Sequence, residues 1–212
     1  VRLMKPDVII LGGGPNGLAA ALSLGGSKLP RPLRVLLLDA RDPKVVPEDS
    51  RGTALTLATQ AMFKTLGVWE HLQNHSTEMR DIIVTDGDGS HDALPSLLKL
   101  HTESNSKAAA AMVENRHLSA ALLKAVEASP NIAMKGGFAF SHFEHSPSCV
   151  ALHAASGDVI SAPLLIAADG RNSLVRNQAG IKLTRHDYQQ TALSFSITHS
   201  LPHHHTAEEH FS

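Results

Sequence analysis

Residues 7–24 read DVIILGGGPNGLAAALSL, and the reading of this stretch decides the fold. Val8 to Leu11 is an unbroken apolar run, as expected of a short strand buried on both faces of a parallel sheet. Gly17 to Leu24 is rich in Ala and Leu and reads as a helix. Between them Gly12, Gly14 and Gly17 satisfy the spacing G-x-G-x-x-G. The first glycine permits a tight turn, the second lets a pyrophosphate approach the backbone, and the third packs the helix against the strand. The helix start then offers unpaired N–H groups and a positive dipole end to the phosphates.

Glycine turns are common, so the context carries the inference. RVLLLDA, Arg34 to Ala40, reads as a second buried strand, which makes a βαβ unit with a parallel sheet. Asp39 closes that strand 22 residues after Gly17, where a carboxylate accepts hydrogen bonds from an adenosine ribose. FAD and NAD both present ADP, so the turn does not choose between them.

Further along, Arg41 to Arg51 reads as a polar loop. ALTLATQAMFKTLGVWEHL repeats apolar residues at helical spacing, with Gly67 as a stop and Phe63 and Trp69 as core. RDIIVTDGDGS reads as a strand and a turn at Asp86-Gly87 or Asp88-Gly89, whereas Leu94 to Lys107 shows no clear period. HLSAALLKAVEAS is a helix closed before Pro130. From Asn131 the period becomes two, giving three short strands joined at Pro147 and Gly157-Asp158, the last running into LLIAADG. A short helix follows, with Asn172 expected as N-cap and Gly180 as the residue past its end. TALSFSITHSL, from Thr191, alternates and predicts another strand.

Composition removes several classes of function. A formal net charge of -1 and a pI near 7.0 leave no basic field for nucleic acid. One cysteine, Cys149, rules out an internal disulfide and fits a reducing compartment. No apolar run is long enough for a signal peptide or membrane span. The 14 histidines are scattered apart from His203-His204-His205, which reads as a surface loop. No metal-ligand spacing and no nucleophile motif is present, so no metal site and no catalytic side chain is expected.

The segments DVIILGGGPNGLAAALSL, RVLLLDA, RGTALTLATQAMFKTLGVWEHL, MVENRHLSAALLKAV and LLIAADGRNSLVRNQAGI occur in the order seen in the FAD-dependent aromatic hydroxylases. The chain resembles above all the 2-polyprenylphenol and 2-octaprenyl-6-methoxyphenol hydroxylases of ubiquinone biosynthesis. ADGRNSLVR, Ala168 to Arg176, is similar to that family's Asp-Gly motif, which serves FAD and the reducing nicotinamide. The resemblance implies an α/β fold: a Rossmann-like FAD-binding βαβ domain with a β-meander and an incomplete mixed-sheet substrate domain. The expected division is 1–79 and 112–185 for the FAD-binding domain, 80–111 and 186–212 for the substrate domain.

The resemblance implies FAD and NAD(P)H as cofactors, with O2 and a polyprenylated phenol as co-substrates. The cofactor-binding residues expected are Gly12, Gly14, Pro15, Asn16, Gly17, Asp39, Ala40, Arg51, Asn115, Asp169 and Gly170. Arg51 matches the family's arginine after the second strand, and Asn115 stands where relatives carry Arg or Gln against the flavin. The family's second motif, Gly-Asp before a Pro- and Gly-rich segment, is not found after Lys182. The chain is therefore expected to be an N-terminal piece that binds FAD weakly or not at all and does not hydroxylate alone. Its unpaired strand edges predict an oligomer. A cytoplasmic location is expected, with peripheral association to the inner membrane or to a biosynthetic complex left open. The competing readings are another flavoprotein reductase of the same fold and a non-catalytic Rossmann-like scaffold.

Overall fold

The computed structural model describes residues 5–86, 96–101 and 108–211. In chain order the elements open with β1 (Val8–Leu11), α1 (Pro15–Gly25), β2 (Val35–Leu38), β3 (Gly52–Thr56), α2 (Leu57–Thr65) and α3 (Trp69–Leu72). There follow β4 (Ser76–Met79), β5 (Asp81–Asp86), β6 (Ser96–His101), β7 (Ala110–Glu114), α4 (Asn115–Glu127) and β8 (Ile132–Lys135). The last are β9 (Phe140–Ser146), β10 (Cys149–Ala154), β11 (Val159–Ala162), β12 (Leu164–Ala167), α5 (Leu174–Gln178) and β13 (Thr206–Phe211).

The central sheet is all-parallel, in the order β12-β1-β2-β8. β1 and β2 are buried along their whole length, which explains why their sequences lack polar alternation. Their side chains point to opposite faces in turn. Val8, Ile10, Val35 and Leu37 meet α1 and α4 through Leu18, Leu22, Leu118 and Leu122, and Phe63 joins this layer. Ile9, Leu11, Leu36 and Leu38 meet the antiparallel sheet β11-β10-β9 through Phe138, Leu152, Ala154 and Ala162. The result is three layers: helices, parallel sheet, meander.

Two smaller sheets complete the described chain. β3, β7 and β4 are antiparallel, in the order β3-β7-β4. β5 pairs antiparallel with β6 and parallel with β13, so a strand near residue 208 lies beside one near residue 83. The turn at Asp86-Gly87 or Asp88-Gly89 falls largely outside the described residues.

Several sequence expectations are corrected. The meander covers a face of the parallel sheet, where its inward residues form one core with Ile9 and Leu36. β8 is a fourth parallel strand, fixed by pairing of Val35 with Ile132. β6 forms where no period is visible. The stretch from Thr191 to Leu201 forms no strand. Its alternating Leu193, Phe195 and Ile197 are 72–83% exposed, and a strand without a ladder partner is not stable alone. The strand comes later, at β13, where β5 offers an edge. His203–His205 form the turn before it, with His204 and His205 at positive φ. α5 is capped by Ser173, whose Oγ accepts from the Arg176 amide at 3.0 Å, not by Asn172. Gly67 and Gly180 do lie past helix ends at positive φ.

Candidate functional site

The carboxyl ends of β1, β2 and β12 lie side by side, and the turns that leave them build a cleft. Gly12 takes φ +115, and a Cβ there would collide with the Ala168 carbonyl at the end of β12. A Cβ on Gly17 would collide with the Gly12 carbonyl oxygen. These two glycines are required by packing within the protein. Gly14 differs: its φ is -74 and a Cβ on it would meet nothing within 4 Å. Pro15 then opens α1. Having no N–H, it fits a position where a donor would go unpaired in any case, while the amides of Asn16 and Gly17 lack intrahelical partners.

Asp39 ties the glycine turn to β2. Its Oδ2 accepts from the Gly13 amide at 2.6 Å and its Oδ1 from the Arg41 amide at 2.8 Å. Its own backbone is held by the segment after β8: the Asp39 amide donates to Lys135 and its carbonyl accepts from Phe138. β8, which sequence patterning misses, thus fixes the acidic residue.

Two adjoining cavities, of about 310 and 540 Å3, share Gly14, Asp39 and Arg41. The smaller is walled by the loop Asp42–Pro47, with Leu18, Ser119 and Leu123 behind. That loop reads as polar, yet Pro43, Val45, Val46 and Pro47 line the cavity. Two valines flanked by prolines were the available signal. The larger is lined by Gly12, Ala40, Phe138, Phe140, Asp169 and Gly170, among others. Gly170 has φ +86, which explains the glycine after Asp169.

Asp169 both caps a helix and lines the cleft. Its Oδ2 accepts from the Leu174 amide at 2.8 Å and the Val175 amide at 3.3 Å. Its Oδ1 is shielded from solvent and has no hydrogen-bond partner among the described residues. A buried acceptor without a donor costs free energy. Arg176 holds the same loop, donating through Nη2 to the Arg171 carbonyl at 3.1 Å.

The structure brings Gly12, Gly14, Asp39, Ala40, Asp169 and Gly170 to one cavity, and Pro15 to its neighbour. Gly17 is buried beneath the turn and Asn16 is exposed beside it. Arg51 and Asn115 line neither cavity; they meet each other instead. Asp49 receives Arg51 Nε at 2.8 Å and Nη2 at 2.6 Å, and Asn115 Nδ2 at 3.0 Å. Asn115 Oδ1 in turn accepts from Thr53 Oγ1. The Arg51 guanidinium, followed by the Asn115 amide, holds the Asp49 carboxyl well below the usual carboxylate range. This cluster joins the start of α4 to the chain after the Asp42–Pro47 loop.

Solved structures of the same shape include p-nitrophenol 4-monooxygenase PnpA from Pseudomonas putida, with TM-score 0.68 at 21% identity, over 83% of this chain and 44% of that one. The flavin-dependent monooxygenase PieE aligns with TM-score 0.66 at 22% identity, over 85% of this chain and 33% of that one. At these identities the likeness is one of fold, and the fold is that of the FAD-dependent monooxygenases. Among relatives by sequence, ubiquinone hydroxylase UbiL of Rhodospirillum rubrum is 33% identical over 97% of this chain and 46% of its own length. The 3-demethoxyubiquinol 3-hydroxylase of Escherichia coli is 30% identical over 90% of this chain and 48% of its own. The chain belongs to the FAD binding domain family, whose model matches residues 5–212. It spans about half the length of the curated relatives it matches.

Proposed function

We propose that the cleft above β1, β2 and β12 holds the ADP part of FAD. The chain is then the cofactor-binding part of an NAD(P)H-using monooxygenase that hydroxylates a polyprenylated phenol in ubiquinone biosynthesis. The observation that carries this reading is the convergence of the glycine turn, Asp39 and Asp169 on one cleft, although 157 residues separate Gly12 from Asp169. The family match and the names of the relatives support it.

The residues fit that ligand in kind. Space beside Gly14 leaves the backbone open to a pyrophosphate, and the first-turn amides of α1 supply donors. Asp39 supplies a carboxylate for ribose hydroxyls. Asp169 Oδ1, without a donor of its own, accepts a hydrogen bond from the ligand. The apolar wall of Pro43, Val45, Val46 and Pro47 excludes water from one side of the smaller cavity. Asn115 is assigned to the flavin side of the cofactor and Arg51 to its pyrophosphate or adenosine side, with Asp49 orienting both. When bound, FAD supplies the redox chemistry, taking reducing equivalents from NAD(P)H and passing them to O2 for hydroxylation. In this reading residues 1–79 and 112–185 form the cofactor domain, and 80–111 with 186–212 belong to the substrate domain.

Phe140 is half-buried and Leu174 exposed at the mouth of the larger cavity. That opening shields a flavin poorly, so residues 1–212 alone are proposed to bind FAD weakly and not to hydroxylate. The test is titration of the chain with FAD, followed by flavin fluorescence. Saturable binding that ADP competes away, and that Gly14→Leu abolishes, is expected. Binding indifferent to ADP and to Gly14→Leu would overturn the assignment.

A further inference from the structure

The linear sequence shows no metal-ligand spacing, but the strand register brings together what the spacing separates. In the meander His142 pairs directly with His153 across β9 and β10. Glu144 lies two residues beyond His142 on β9, hence on the same face of the sheet. The neighbours Phe143, Leu152 and Ala154 turn inward to the core, so the three polar side chains share the outer face. One ligand atom from each of His142, Glu144 and His153 lies within 4.8 Å of the others. The two imidazoles stack with centroids 4.2 Å apart. A second feature singles out this cluster. His153 Nε2 is sealed from solvent without a hydrogen-bond partner among the described residues, and Glu144 Oε2 stands 3.9 Å from it, beyond hydrogen-bond reach.

We propose that His142, Glu144 and His153 form a binding site for a zinc-class divalent cation on the outer face of the meander. Two imidazoles and one carboxylate are a donor set that zinc accepts, with a fourth position for water. Zn–N near 2.0–2.1 Å and Zn–O near 2.0–2.2 Å imply a tetrahedral N···O separation of about 3.3–3.5 Å. The observed 3.9 Å gap closes to that value by a shift of about half an ångström. The stacked rings do not aim their nitrogens at one point. Rotation about χ2, a broad torsion for histidine, brings them to convergence. The ligands come from both strands of a hairpin, so the cation clamps β9 to β10. Because the site exists only in the folded chain, binding adds to the stability of the fold.

The experiment is calorimetric titration of the full chain with ZnCl2, together with the visible spectrum on adding Co2+ and thermal melts with and without zinc. One equivalent should bind and Co2+ should give tetrahedral absorption bands. Zinc at 100 times its dissociation constant should shift the folded-to-unfolded ratio about a hundredfold, read as a rise in Tm. His142→Ala and His153→Ala should abolish these effects, and Glu144→Gln should weaken binding at least tenfold. His142 and Glu144 are exposed, so far-UV circular dichroism of their variants should match wild type. A His203→Ala/His204→Ala double variant should bind as wild type does. No stoichiometric binding, or binding lost in that double variant but kept in His153→Ala, would overturn the site.

Discussion

The amide of Gly13 donates to Asp39 Oδ2 at 2.6 Å, so the glycine turn after β1 is locked to the end of β2 before any ligand arrives. One carboxylate therefore shapes the cleft and lines it. The same duality recurs at Asp169, which caps α5 with one oxygen and leaves the other without a donor.

Asp39→Ala removes the acceptor of two backbone amides, Gly13 and Arg41. The expected loss is about 1–3 kcal/mol of stability, measured by urea denaturation, together with loss of FAD binding. A variant as stable as wild type would show that the turn holds its shape without Asp39.

The glycines of the turn should separate cleanly. Gly17→Ala drives a methyl into the Gly12 carbonyl and should cost at least the 1–3 kcal/mol typical of overpacking. Gly14→Ala meets nothing within 4 Å and sits at an ordinary φ, so Tm should barely move while FAD affinity falls. Equal destabilisation by both would reduce Gly14 to a structural residue.

For Asp169 two substitutions divide the work. Asp169→Ala strips the cap from the Leu174 and Val175 amides and should cost about 1 kcal/mol. Asp169→Asn keeps an acceptor for those amides and should melt near wild type. Both should weaken FAD binding, because each changes a residue that lines the cleft. Full FAD affinity in the Asn variant would remove Asp169 from the ligand contacts.

Acid stability has a named contributor in Asp7. Its bidentate pair with Arg34 lowers its pKa from 3.8 to about 2, the side-chain hydrogen bond being the main cause. A carboxylate with a depressed folded-state pKa stabilises fully above its unfolded pKa and loses that contribution as pH falls through the folded value. Wild type should thus be more stable than Asp7→Asn at neutral pH, and the difference should vanish between about pH 4 and pH 2. Melting curves across that range test it; a difference that persists unchanged at pH 2 contradicts the pairing.

What was legible in the sequence was whatever rested on short-range constraints. Gly12, Gly14 and Gly17 announced the turn, Asp39 its spacing, and Asp169-Gly170 the end of a strand. The rest depended on partners far along the chain. Ile132–Lys135 is too short to declare its state, and becomes the outer parallel strand because β2 offers an edge. Leu193, Phe195 and Ile197 alternate like a strand but find no such edge, so they form no strand and stay exposed. Val45 and Val46 line the cleft only because the loop folds back over Gly14. Ser173 outcompetes Asn172 as a cap through a one-residue difference in where α5 starts. His142 and His153 are neighbours by register alone.

The place of β12 beside β1 has a bearing on biogenesis. On the ribosome, Gly12 emerges 157 residues ahead of Asp169, a delay of about 8–30 s at 5–20 residues per second. Throughout that interval β1 has an open flank and the cleft lacks a wall. Nascent chains stalled before Leu164 should be cut readily by protease near the glycine turn, and those stalled well beyond Ala179 should resist. Closing of the cleft thus waits on the arrival of a single four-residue strand.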